Sequence, residues 1–198
     1  MGRRYATGWS LSPEPRAQRQ VYWMMQSANC TTSVDMVQRL VDAWNARDLD
    51  GFIGLLAQDI EWYDPAMPEP PARGREAVRD FAEGVLRAFP DFTYEVQPPI
   101  CSAPDGSRCA IVWRISASHL HALQPPGYAP TGRRADIEGV DVLDIRDGQV
   151  ARIFTAFDVL SAAEQLLGMK LRPSPGTWRG RFAVTVQRML ARARRKRS

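Results

Sequence analysis

At 198 residues and 44% hydrophobic content, the chain is long enough to bury a substantial core and too apolar to remain disordered. No run approaches the roughly 20 consecutive apolar residues of a membrane-spanning helix, and the N-terminus has neither a continuous apolar segment nor a small-residue cleavage site, so no signal peptide is expected. Cys30, Cys101 and Cys109 lack metal-type spacing, and an odd count does not suit a disulfide framework, so a reducing, cytoplasmic setting is expected. The net charge of +4 divides unevenly: residues 1–33 carry +3, residues 34–169 carry −9, and residues 170–198 carry +10 with no acidic residue. An acidic body between basic ends points to a tail that meets an anionic surface or folds back on the body.

Residues 1–33 show no sustained periodicity and read as a solvated extension in which Arg3, Arg4, Arg16 and Arg19 are available to an anion. Ser33 reads as an N-cap, followed by Val37, Leu40, Val41 and Trp44 at helical spacing. A second short helix carries Phe52, Leu55 and Leu56 on its buried side and packs on the first as a hairpin. Ile60 and Trp62 begin a short strand that runs through Tyr63, Asp64 and Pro65 into a proline-rich loop. A third helix follows Gly74, with Val78, Phe81, Val85 and Phe89 in one stripe ended by Pro90.

From Phe92 the hydrophobic period changes to two. Ala103-Pro104-Asp105-Gly106 is a turn, and a long strand over 109–121 follows it. Strands at roughly 135–145 and 150–157 are joined by Arg146-Asp147-Gly148-Gln149, whose Asp-Gly pair signals a tight hairpin. A short helix over 159–167 closes the body. The predicted fold is α+β: a curved antiparallel sheet folded over helices on one face into a cone with an interior pocket. Beyond Pro173, Trp178, Phe182, Val186, Met189 and Ala193 fall at helical spacing among arginines, a basic amphipathic helix.

Glycine-rich phosphate loops and the G-x-S-x-G nucleophile elbow are both missing. His119 and His121 stand at i, i+2 with no carboxylate or cysteine close in sequence, so no metal site is expected. In the last strand, Val150, Phe154, Ala156 and Asp158 share one side, and Ala151, Ile153, Thr155 and Phe157 the other. Asp158 follows an apolar run, where desolvation would raise its pKa and suit it to acid/base work. The competing reading makes Asp158 the N-cap of the following helix, and the two roles can coexist.

Residues 34–169 resemble the SnoaL-like polyketide cyclases of the nuclear-transport-factor-2-like superfamily. The stretches that carry the resemblance are VQRLVDAWNARDLDGF, GREAVRDFAEGVLRAFPDF, the PTGRR turn and the GVDVLDIRDGQVARIF hairpin with its following FD and LLG. It implies a cone-shaped α+β domain over 34–169 between the N-terminal extension and the basic tail at 170–198. It also implies cofactor-free, metal-free acid/base catalysis of an intramolecular aldol type on a hydrophobic ketide-derived or polycyclic carbonyl compound. Asp158 takes the position of the family's acid/base residue, with His121 or His119, depending on the alignment, at the carbonyl. Asp141 is either a second carboxylate in the pocket or a partner for Arg114. Trp62, Tyr63, Phe81, Trp113 and Phe154 are candidates for the apolar wall. The chain departs from its relatives at Arg152, Phe154, Trp62 and Tyr63, which bears on substrate. The same fold also hosts non-catalytic binding domains and epoxide hydrolases, and an Asp141–Arg114–Asp158 relay would serve the latter. Expected partners are a small hydrophobic ligand, a second copy through the sheet, and an anionic membrane surface through 178–197, which would make the protein peripheral to a membrane. Nucleic acid is disfavoured because no recognition fold accompanies the charge.

Overall fold

The computed structural model describes residues 33–124, 127–168, 170, 172 and 176–195, so the N-terminal extension and Cys30 lie outside the described residues. Helix α1 (33–45) buries Val37, Leu40 and Trp44, as its spacing predicts. Ser33 is buried and donates from Oγ to the Gly106 carbonyl at 3.0 Å, fastening the start of α1 to the turn predicted there. Helix α2 (Leu49–Gly54) is capped by Asp48, whose Oδ1 accepts the Gly51 N–H at 2.8 Å. It ends before Leu56, which belongs instead to strand β1 (Leu56–Tyr63). Strand β2 (Ala72–Arg73) leads into helix α3 (Gly74–Ala88), which buries Val78 and Ala82 completely.

Strands β3 (Thr93–Ser102), β4 (Arg108–Ser118), β5 (Arg134–Arg146) and β6 (Gln149–Phe157) follow, then helices α4 (Val159–Leu167) and α5 (Trp178–Arg195). The six strands form one sheet in the order β2-β1-β6-β5-β4-β3. Its pairs are antiparallel except β1 with β6, which is parallel, so the sheet is mixed where a wholly antiparallel one was expected. The β5–β6 connection is the predicted Asp-Gly hairpin: Arg146 pairs with Gln149, and Asp147 and Gly148 both have positive φ, at 53° and 71°. Strand β4 ends at Ser118, three residues short of the predicted limit, and this separates the two histidines.

Gly139 is a point of close approach in the sheet. A Cβ there would lie 2.3 Å from Trp113 Cζ2 and 2.8 Å from the Ala156 carbonyl oxygen, so the indole lies directly on the β5 backbone. On the helix side, Trp44 meets Phe52, Trp62 and Phe92 edge-on at centroid distances of 5.1, 5.9 and 5.6 Å. At the sheet's β3 edge, Asn45 donates to the Tyr94 carbonyl and accepts the Tyr94 N–H, both at 2.9 Å. Arg47 donates to the carbonyls of Pro90 and Phe92 at 2.8 and 2.7 Å. The α1–α2 corner therefore fixes where the edge strand begins. No helix among the described residues is long and apolar enough to cross a membrane.

Candidate active site in the cone

Helices and concave sheet surround a cavity of about 1230 Å³, somewhat above the roughly 300–1,000 Å³ usual for a small-molecule site. Alternation along the strands sets its wall. Ile111, Trp113, Ile115 and Ala117 of β4 face inward, as do Ile137, Gly139, Asp141 and Leu143 of β5. The proline-rich loop after β1 also contributes, with Asp64, Ala66 and buried Met67.

Asp141 is the polar centre of the sheet wall and is 9% exposed. Its Oδ2 accepts the Tyr94 hydroxyl at 2.7 Å. Thr155, opposite it on β6, accepts the Trp62 indole N–H at 3.0 Å. Burial pushes the Asp141 carboxyl up, against the opposing pull of Tyr94, Thr155 and Trp113. The last two contacts are weak, because Asp141 Oδ1 and Trp113 Nε1 have no full hydrogen-bond partner among the described residues. Burial, then the neighbouring Asp141 charge, raises the Tyr94 phenol well above its ordinary value, so it remains a donor.

Asp64 is the second carboxyl in the cavity, also 9% exposed. Its Oδ1 accepts the Ala66 N–H at 2.7 Å, as an aspartate before a proline turn does. Burial pushes its pKa from 3.8 to about 6; the Ala66 N–H opposes the rise and the nearby Asp141 charge adds to it. Sequence reasoning placed Asp64 in the strand-to-loop run and assigned it no role. A signal was available, because Asp64 stands two positions beyond inward-facing Trp62, where the strand meets the loop over the cavity.

The remaining sequence candidates divide by face. Trp62, Phe81 and Trp113 line the cavity. His119 does too: it is 2% exposed, its Nδ1 lies 3.5 Å from Thr131 Oγ1, and its Nε2 has no partner among the described residues. Desolvation lowers its pKa, so the ring is neutral at pH 7. His121 is exposed, because the chain has left β4 and no longer alternates with His119. Ile111 on β4 pairs with Asp141, whereas His119 lies beyond the end of that strand, so the strand path between them is roughly 27 Å. The structure does not bring His119 and Asp141 to one point.

Four candidates stand outside the cone. Tyr63 and Phe154 stack on each other on the outer sheet face, centroids 5.1 Å apart and planes 11° apart. Arg114 is exposed and pairs with Glu138, not with Asp141. Asp158 is exposed and caps α4 by accepting the Ser161 N–H at 2.9 Å; it also pairs with Arg172. The Ser161 N–H, supported by Arg172, holds its carboxyl below the usual range, which corrects the expectation of a raised pKa in an apolar setting. With Arg114 and Asp158 outside and Asp141 inside, the Asp141–Arg114–Asp158 relay is not assembled. Asp158 still shapes the cavity indirectly, because the helix it starts presents Ala162 and Leu166 to the interior.

The face error has a local cause. Register shifts between Asp144 and Ile145 opposite β6, and again where β6 meets β1, so Val150 and Ile153 both point inward. Past this irregularity the inward set is Ile153, Thr155 and Phe157, and Asp158 falls on the outer parity. The PTGRR turn has a visible task. Thr131 Oγ1 donates to the Leu166 carbonyl at 2.7 Å and Arg133 Nε to the Gln165 carbonyl at 2.7 Å, tying the end of α4 beside His119. No group of three His, Cys, Asp or Glu side chains suited to a metal gathers among the described residues.

A six-stranded, curved and unclosed sheet wrapped over helices around an interior cavity defines the nuclear-transport-factor-2-like class of α+β domains. Residues 37–153 match the SnoaL-like domain, and the chain belongs to that family. Similar solved structures include AclR of Streptomyces galilaeus, a proposed hydroxylase, at 26% identity and TM-score 0.58 over 69% of this chain and 96% of that one. A proposed SnoaL-like polyketide cyclase from Jannaschia sp. CCS1 is 20% identical with TM-score 0.61, over 72% of this chain and 94% of that one. A proposed polyketide cyclase from Xanthomonas campestris pv. campestris is 19% identical with TM-score 0.60, over 70% and 98%. A comparison with curated proteins gives no match.

Proposed function

We propose that the cone is the active site of a cyclase or isomerase that moves protons on a hydrophobic carbonyl compound, with Asp64 and Asp141 as the working pair. The reading is carried by two buried carboxyls facing one apolar cavity, one of them raised to about 6. A carboxyl with that pKa is mostly ionised at pH 7 and still basic enough to take a proton from an activated carbon. Asp141, whose carboxyl burial also pushes up, serves as the proton donor of the pair. In an intramolecular aldol closure, Asp64 removes a proton from a carbon flanked by carbonyls. The enolate carbon then attacks a second carbonyl carbon, a C–C bond forms, and Asp141 gives its proton to the oxygen that would become alkoxide. Return of the proton from Asp64 to Asp141 resets the pair, with no oxidation or reduction.

Family membership and the cyclase names of similar structures support this chemistry, and AclR's description as a hydroxylase keeps the reaction type a matter for assay. Trp44 Nε1, Trp113 Nε1 and His119 Nε2 also lack partners among the described residues, and all three residues line the cavity. They offer a mostly apolar ligand several separated points for its oxygen atoms.

The test is turnover of linear poly-β-carbonyl and 1,5-diketone compounds by wild type, Asp64→Asn, Asp141→Asn and Asp158→Asn. The expected result is a loss of about 100-fold or more for the first two variants, with ligand binding kept, and near-normal turnover for the third. Wild-type turnover in both cavity variants would contradict the reading. Tight ligand binding with no turnover by any form would make the cone a binding pocket instead.

A further inference from the structure

We propose that α5 lies on anionic phospholipid bilayers, with its axis in the membrane plane and its apolar stripe in the headgroup boundary. The helix runs Trp178–Arg195 and has no acidic residue in its first turn, or anywhere in its sequence. Trp178, Phe182, Val186 and Met189 recur at spacings of three and four, which places them on one face. That face is open to solvent along its length: Phe182 is 64% exposed, Met189 62% and Val186 37%. Side chains of this size are rarely left so open in a row without a surface to meet.

Charge selects the surface. The chain from residue 170 onward carries +10, and Arg181 and Arg188 are exposed on α5 beside the apolar stripe. An acidic body of −9 would be repelled by an anionic bilayer, and the +10 of this segment exceeds the +3 of residues 1–33, so most of the attraction comes from it. A bilayer satisfies both the charge and the apolar row; a nucleic acid would satisfy the charge and leave Phe182 and Met189 in water. The helix is too polar to span, so it lies on the membrane rather than in it.

The test uses the full chain and sedimentation with vesicles of phosphatidylcholine alone or with phosphatidylglycerol. The expected result is binding only with phosphatidylglycerol, weakened by salt. Binding should fall about tenfold or more both in Phe182→Ser/Met189→Ser and in Arg181→Glu/Arg188→Glu. These positions are exposed on α5, so unchanged thermal unfolding of the body confirms that folding is intact. No binding to phosphatidylglycerol vesicles would overturn the proposal. So would equal binding by the Phe182/Met189 variant, or displacement from vesicles by duplex DNA at matched phosphate.

Discussion

Tyr94 donates its hydroxyl to Asp141 Oδ2 at 2.7 Å across 47 positions of sequence, joining the edge strand β3 to the centre of the cavity wall. The bond is held from behind, because Asn45 clamps both backbone groups of Tyr94. Removing the hydroxyl leaves a buried carboxyl with its main donor gone. Tyr94→Phe is therefore expected to cost about 1–3 kcal/mol in urea unfolding and to raise the Asp141 pKa further.

Asp64 makes stability depend on pH in the opposite sense to a salt-bridged carboxylate. Its folded pKa of about 6 lies above the ordinary 3.8, so between those values the fold binds more protons than the unfolded chain. Its contribution is fully present below the lower value and is lost as pH rises through the higher one. The size is about 3 kcal/mol, and the raised Asp141 acts in the same direction. Unfolding by urea from pH 4 to 7 should show this decline, and Asp64→Asn should flatten it.

Gly139 tests the close packing of Trp113 on β5. In Gly139→Ala the new methyl meets Trp113 Cζ2 at 2.3 Å and Cη2 at 2.4 Å, with the Ala156 carbonyl behind it. The indole must move, at a cost of about 1–3 kcal/mol in thermal unfolding. Ligand affinity should fall with it, since Trp113 is part of the cavity wall.

The two histidines should separate cleanly. His119→Ala opens the cavity beside Phe89, whose ring lies 5.4 Å from the imidazole, and should weaken ligand binding. His121→Ala changes an exposed side chain and should leave binding unaltered; isothermal titration of one ligand into both variants checks this.

How much of this was legible in sequence varied from element to element. The Asp-Gly hairpin, the stripe of α3 and the alternation at the start of β3 came from local rules that the structure keeps, and the order of elements pointed to the cone. Which face of β6 lines the cavity was not legible. Tyr63 and Phe154 look like core residues yet stack outside, and the irregularity between Val150 and Ile153 inverts the count that led to Asp158. Asp64 was hidden for a different reason. It does serve as the turn residue its neighbours suggest, and the cavity above it comes from helices and strands distant in sequence.

The central claim is a pair of buried carboxyls with raised pKa values in the cone, and carboxyl-carbon NMR titration of Asp64 and Asp141 tests it without a substrate. Assignments come from the Asp64→Asn and Asp141→Asn variants, with exposed Asp158 as the internal reference. The account predicts that Asp64 titrates near 6, that Asp141 also titrates above the ordinary range, that each moves when the other is replaced, and that Asp158 titrates below it. Asp64 and Asp141 both titrating at or below the ordinary 3.8, with no response of either to replacement of the other, would contradict it.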